Sequence, residues 1–353
     1  MELQTYIDST SNFVDELKSR GFITKSFGKY NLLLIKYKYD KKINTDSYER
    51  YLKGVLIDKN TNRVVFIPPC KSSEYVEENV ADCVVEELYD GTMINLFYHQ
   101  EQWILSTRSD IGLNNKWGNK SFKKMFEECA KLDYDKLNRE YTYSFVLQHM
   151  ENRNVTIFSQ NNLILVEVRN KNTLEIIDNS TINNSGFMKV MPLTEENIQQ
   201  CKDLLKNNDF NSFNWKGLTF KKNDKRMNVV NPMYDYVKQL KVNSNNKLYN
   251  FCSLWKDGKL DNYLYFFNED TDMFKKYKTV FSIFIKELYD NYVQIHIKKE
   301  KVLSDSPFQL KPLVYSLHGE YLKTKIKINY NKIEEFVKLL PVEKITFVLK
   351  YYL

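Results

Sequence analysis

The sequence predicts an α+β protein in two parts, a sheet-rich N-terminal domain over residues 1–243 and a mostly α-helical C-terminal domain over 244–353. Three observations carry this. At 353 residues the chain exceeds what one hydrophobic core usually fills. Short β-branched and aromatic runs, separated by Asn, Asp, Gly and Gln, dominate from Tyr51 to Ile177. Beyond the polar, turn-rich VNSNNK, the apolar residues switch to helical spacing.

Taken in order, Ser9 to Lys18 reads as a helix, with Phe13, Val14 and Leu17 on one face, and YNLLLIKYKY as the strand after it. The strand series follows: YLKGVLID, RVVFIPP, CVVEELYD, TMINLFY, WILSTR, YTYSFVL, NVTIFS and LILVEV, antiparallel by their tight turns and interrupted by a helix at Lys120 to Ala130. A further helix spans Leu193 to Leu205, with Thr194 at its start. The strand pair WKGLTFKK and RMNVVN then precedes a helix at Met233 to Leu240. In the C-terminal part, Phe274, Val280, Phe281, Phe284, Ile285, Leu288 and Tyr292 form a helical stripe whose default role is core packing, and KIEEFVKLLPVEKITFVLKYYL repeats the helical spacing.

Composition excludes several classes. No apolar run reaches the roughly 18 residues of a membrane span, and the N-terminal ELQTYIDSTSNFVDELKSRGF has no apolar signal core, so neither a membrane partner nor secretion is expected. Five cysteines, an odd number with no C-x-x-C pair, argue against a disulfide framework and a zinc site and favour a reducing compartment. The four histidines (His99, His149, His296, His318) lack ligand spacing, so no metal site is expected. A net charge of +7 permits nucleic-acid binding, and is equally what a solvated surface of mixed sign would carry. The aromatic clusters, such as YLYFF at Tyr263 to Phe267, suit base stacking or partner docking, with core filling the default.

The chemically informative stretch is EELYDGTMINLF, Glu86 to Phe97. A lone Asp-Gly occurs in many hairpins, so its order among other motifs decides its meaning. Lys53-Gly54-Val55-Leu56 lies a strand upstream; STRSDIG, SFVLQHMENRNV, LILVEVRN, WKGLTFKK and NVVNPMY follow downstream. This series, over roughly residues 50 to 240, resembles the covalent nucleotidyltransferase motifs of ATP-dependent RNA ligases of the phage tRNA-repair type. The resemblance implies a nucleotidyltransferase fold, ATP-grasp-like, with antiparallel sheets and flanking helices. It implies a lysine that takes AMP from ATP, passes it to an RNA 5′-phosphate and lets a 3′-hydroxyl displace it, with a divalent metal and cations on the phosphates.

Position by position, the reactive groups of that pattern are missing. The lysine of K-x-D-G falls on Leu88, while Asp90 and Gly91 match. In the motif resembling F-E-x-x-x-P-x-N-R the glutamate falls on Val146 and the proline on Met150, with Phe145, Asn152 and Arg153 matching. The glutamate of E-G-x-V falls on Lys216, before a matching Gly217. The lysines of K-x-K-N-P-x-Y fall on Asn228 and Val230, before matching Asn231, Pro232 and Tyr234. Turn formers and packing residues stay and reactive side chains go, a selective loss that a misalignment would not produce. The expectation is a pseudoenzyme with no catalytic residue.

Losing three lysines and two glutamates while gaining Lys216 leaves the formal charge of the site unchanged. The candidate nucleotide- or RNA-binding residues are therefore Lys53 (an arginine in the family), Asp90, Gly91, Arg108, Arg153, Arg169 and Lys216. Each cation has a structural alternative, and for Arg153 a buried carboxylate partner stands level with a phosphate contact. No cofactor and no small-molecule substrate is expected; the partner is RNA or protein. AT-rich codon usage and the spread of such ligases among phages and viruses point to a phage or large DNA virus, hence to host cytoplasm or virion. The alternative is an active ligase in which Lys53, Lys71 or Lys216 has taken over adenylylation, with ATP and magnesium as its cofactors, against which stands the need for in-line approach to the α-phosphate.

Overall fold

The computed structural model describes residues 2–80, 82–116, 120–183, 186–207 and 209–353. It is α+β, with antiparallel sheets followed by a helical C-terminal region. The chain divides into compact units at 1–238 and 239–353, after Lys238 rather than after Asn243.

The N-terminal unit opens with two short helices, α1 (Glu2–Ser9) and α2 (Phe13–Ser19), where the sequence suggested one from Ser9 to Lys18. The break falls on Ser-Thr-Ser-Asn, residues whose side chains compete with the backbone; the Ser9 hydroxyl donates to the Tyr6 carbonyl at 3.0 Å. Leu3, Ile7, Phe13 and Leu17 still reach one core beside the first sheet. That sheet has four strands, β1 (Phe22–Phe27), β2 (Leu32–Tyr37), β3 (Lys53–Asp58) and β4 (Val64–Phe66), paired in chain order. β1 was not anticipated, because FITKSF lacks a strict alternation and its residues Thr24, Ser26 and Lys25 weaken an apolar pattern.

β5 (Val84–Glu87) leaves for a third sheet described below. The second sheet is built from β6 (Thr92–His99), β7 (Gln102–Ser106), β8 (Tyr141–Gln148), β9 (Asn162–Asn170) and β10 (Ile176–Ile177) in the order β10-β9-β8-β6-β7, with β11 (Met188–Lys189) parallel to β9. Helix α3 (Phe122–Cys129), capped by Ser121, covers one face through Met125 and Phe126. NVTIFS is no strand: the backbone N–H groups of Val155 and Thr156 bond to the Asp90 carboxylate, both at 3.1 Å, and that of Ile157 to Asn214, so side chains take the place of a neighbouring strand.

The third sheet runs β13-β12-β5, from β12 (Gly217–Lys222) and β13 (Lys225–Val230), with α4 (Glu195–Asn207) packed on one side. Thr194 accepts from the Asn197 N–H, as a cap should. Period-2 alternation sends Val85, Leu218 and Phe220 to the apolar face and leaves Glu86, Thr219, Lys221, Arg226, Asn228 and Val230 on the other, in register across the strands. Helix α5 (Pro232–Leu240) starts at Asn231-Pro232, with proline at its first position and the Asn231 side chain accepting from the Met233 N–H.

The C-terminal unit consists of α6 (Lys247–Lys256), α7 (Leu260–Phe266), α8 (Thr271–Tyr292), α9 (Lys311–Thr324), α10 (Tyr330–Leu339) and α11 (Val342–Leu349). Asn246 caps α6, and Asp270 ties α6 to α7 by accepting from Lys247 and from the Tyr263 hydroxyl at 2.6 Å each. Phe274, Phe281, Phe284, Ile285 and Leu288 are buried along α8. The helical pattern of 332–353 is split at Pro341, which cannot donate to the preceding turn.

Candidate functional site: a cleft with a tied turn and open cations

The Asp-Gly turn sits where β5 hands the chain to β6, and the third sheet and the loop after β8 both close on it. Gly91 has φ +139°, and a Cβ there would lie 2.5 Å from the Leu147 carbonyl and 2.7 Å from Val146 Cγ1. Gly217 repeats the situation with a Cβ 2.0 Å from the Val229 carbonyl. These motif glycines are required by backbone approach.

Asp90 is 3% exposed and fully engaged. Its Oδ1 accepts from the Tyr234 hydroxyl at 2.7 Å and from Asn154 at 3.3 Å, and its Oδ2 from the Val155 and Thr156 N–H groups. Burial pushes its pKa up, but the Lys216 charge, the Tyr234 hydroxyl and the two backbone N–H groups outweigh it and hold the carboxyl below its usual range. The other matching motif residues are also structural. Asn152 donates to Thr92 at 3.0 Å, and the Asn231 amide donates to the Ser212 and Trp215 carbonyls at 2.7 and 3.0 Å.

Leu88, just past the end of β5, is half-buried, and its N–H donates to the Gly217 carbonyl at 2.9 Å. Val146 lies in an apolar cluster with Ile164, Val166 and Val190, a place where a carboxylate would have no partner. Asn228 accepts from the Thr219 hydroxyl at 2.8 Å, and Val230 is exposed. The Lys216 amine reaches the turn from the opposite strand, donating to the Tyr89 carbonyl at 3.1 Å. Burial lowers its pKa, as do the charges of Lys238 and Arg226, while Asp90 opposes them.

The expected cations separate into two groups. Arg169, 2% exposed, donates to Glu167 at 2.8 Å, Asp224 at 2.7 Å and the Leu174 carbonyl at 3.1 Å, so it is not available to a ligand. Arg108 donates to the Tyr37 carbonyl at 2.8 Å with its guanidinium over that ring, and Arg153 donates to the Val155 carbonyl at 2.9 Å; both brace the loops that carry them. Lys53 differs. Its amine has no hydrogen-bond or ion-pair partner among the described residues, and burial together with the charges of Arg226, Lys71 and Lys216 lowers its pKa to about 8.

Arg226 escaped sequence reading. It lies outside every quoted motif, yet alternation along RMNVV puts it on the same face as Asn228 and Val230, which is the signal that finds it. The cleft's carboxylates were missed as well. Glu86 is bound to Lys221 at 2.5 Å and Glu167 to Arg169; Glu167 is held ionised against burial by Arg169, Arg226 and Lys221. Away from the cleft, Glu128, His149 and Glu151 bring their ligand atoms within 4.8 Å of one another. The Lys120 ammonium bonds to both carboxylates, at 2.9 and 2.5 Å, and the His149 Nδ1 accepts from the Glu151 N–H, which places the ring proton on the Nε2 that faces Glu128. A metal would need that nitrogen's lone pair, so the group reads as an ion-pair cluster.

No protein-family model matches the chain. Among curated proteins, the Immediate-early protein ICP-46 homolog of Invertebrate iridescent virus 3 is 26% identical over 127 residues, covering 29% of this chain and 28% of its own length. The chain thus spans little more than a quarter of that relative. Among solved structures, an archaeal ATP-dependent RNA ligase aligns at TM-score 0.45 and 13% identity over 71% of this chain and 68% of its own. A candidate ATP-dependent DNA ligase from Aquifex aeolicus aligns at 0.43 and 13%, over 93% and 77%. An RNA ligase of Naegleria gruberi with pyrophosphate aligns at 0.33 and 13%, over 50% and 60%. The structural neighbours are ATP-dependent DNA and RNA ligases. No helix among the described residues is long and apolar enough to cross a membrane.

Proposed function

We propose that this chain is a non-catalytic protein of ligase-like fold whose N-terminal unit grips RNA phosphates through Lys53, Arg226 and Lys71. The observation that carries the reading is the state of the Asp-Gly turn. A hydrocarbon side chain, Leu88, holds the nucleophile's position, and the nearby amine of Lys216 is committed to the Tyr89 carbonyl. The carboxylates that a metal would need are engaged too: Asp90 by Tyr234 and two N–H groups, Glu86 by Lys221, Glu167 by Arg169. Among the described residues, the side chains of Lys53, Lys71 and Arg226 are left without a hydrogen-bond or ion-pair partner, and phosphates are the ligand that such ammonium and guanidinium groups suit. The viral relative supports a viral origin, and on this reading the chain acts as an RNA-binding or assembly subunit in host cytoplasm or particle.

One observation favours a second reading. An amine with pKa about 8, free of hydrogen bonds, has the character of an activated nucleophile, so Lys53 is the residue on which adenylylation would fall if the chain were active. Incubation with α-labelled ATP and magnesium, followed by denaturing electrophoresis, separates the two. The expected result is no adduct, for the wild type and for Leu88→Lys; an adduct lost in Lys53→Ala establishes the second reading. Fluorescence anisotropy with a labelled single-stranded RNA should show binding that falls steeply with salt and weakens in Arg226→Ala. Salt-insensitive association, or none, overturns RNA as the ligand.

A further inference from the structure

The C-terminal unit holds a feature unrelated to the cleft. α8 does not stop at Tyr292 but continues through a π-helical turn, Val293–Ile297, and this turn aims His296 at His318 of α9. The two imidazoles stack with centroids 3.7 Å apart and planes 6° from parallel. Tyr292 flanks His296 at 5.3 Å and Tyr321 flanks His318 at 5.9 Å, giving a ladder of four rings. His296 Nε2 and His318 Nδ1 are buried without a hydrogen-bond partner among the described residues. π-helical turns recur at functional positions, and an unpaired buried nitrogen costs stability, so the arrangement needs a reason.

A shared metal is not that reason. A metal lies in the plane of each imidazole it binds, and two parallel planes about a ring thickness apart have no common point for it. We propose that the His296–His318 stack is an acid-sensitive latch between α8 and α9, closed while both rings are neutral and loosened when protons enter. Two imidazolium rings at this separation repel, and among the described residues no carboxylate is bonded to either ring to offset them. Tyr292 on α8 and Tyr321 on α9 flank the pair, with the Lys325 amine 5.9 Å over the Tyr321 ring, and Glu320, two residues beyond His318 on α9, is bound to Lys332 of α10 at 3.5 Å.

Burial, then the neighbouring His318 charge, lowers the His296 pKa below its ordinary 6.5. The unfolded or opened form therefore takes up the proton first. Stability is full above 6.5 and declines as pH falls from 6.5 to the depressed value, below which this group causes no further loss.

The test is hydrogen exchange on the full chain at pH 7.5 and 5.5, corrected for intrinsic rates and read over 293–324. The wild type should lose protection at least tenfold at the lower pH, and His296→Phe and His318→Phe, which keep a ring in the ladder without its proton, should lose little. Equal loss in wild type and variants, or none in the wild type, overturns the latch. Should the variants fail to fold, the wild-type titration of the His296 imidazole followed by NMR decides: a midpoint below 6.5 is expected, and one at or above 6.5 overturns the latch.

Discussion

Arg169 and Lys53 are cations of the same cleft and stand in opposite circumstances. Arg169 meets two carboxylates and a carbonyl, and its charge is held so firmly that its pKa rises despite burial. Lys53 meets no carboxylate among the described residues, and burial followed by the charge of Arg226 lowers its pKa. The difference shows that position in a motif does not decide whether a basic residue serves the frame or a ligand; the count of acceptors within reach does. The residues left over after the frame is satisfied are the ones with something to offer a guest.

The largest test of that contrast is Arg169→Met. It leaves Glu167 and Asp224 facing each other without their cation and should cost about 3–5 kcal/mol in urea unfolding. A loss under about 1 kcal/mol would erase the distinction. Gly217→Ala asks whether the frame extends to the Asp-Gly end of the cleft. Its Cβ meets the Val229 carbonyl at φ +139°, so a loss of roughly 3 kcal/mol is expected by the same measurement.

Tyr234→Phe should cost about 1–2 kcal/mol at neutral pH by removing one donor from the Asp90 carboxylate. Because the folded Asp90 pKa lies below 3.8, the benefit of its ionised form is present above that value and fades as pH falls through the folded pKa, so wild type and variant should converge in strong acid. Lys53→Met should lose no stability at pH 7 and should gain some, since no partner is stranded and a buried charge is removed. Wild-type stability should climb between pH 8 and 10.5 as the unfolded chain keeps a proton that the folded amine has lost, and the variant should lack that rise. Its RNA salt dependence should fall by about one unit of slope, and wild-type binding should weaken from pH 7 to 9.

Much of the frame was legible in the sequence because its determinants are local. Alternating strands, the Asn231-Pro232 helix start and the motif glycines each announce themselves within a few residues. Of the proposed site, Lys53 was named from the sequence and Arg226 was not. Leu88 for lysine can be read from one position, whereas the fate of Arg169 depends on Asp224, a turn residue fifty-five positions away that nothing in LVEVRN foretells. The irregular path of NVTIFS has the same origin, since its donors are claimed by a carboxylate sixty-five residues upstream. The split at Pro341 is the opposite case, a signal printed in the sequence that apolar spacing alone overlooks.

Asp224 crowns the β12–β13 hairpin and is held from two sides: its carboxylate by Arg169 of the second sheet and by the hydroxyl of Tyr51, just before β3 of the first, and its carbonyl by the Cys70 thiol. One residue thereby pins three sheets like a rivet through three plates. The three sheets cannot part without breaking the Arg169–Asp224 ion pair, whose guanidinium is buried. For the proposed RNA ligand, a host bound together in this way selects by contour rather than by closing.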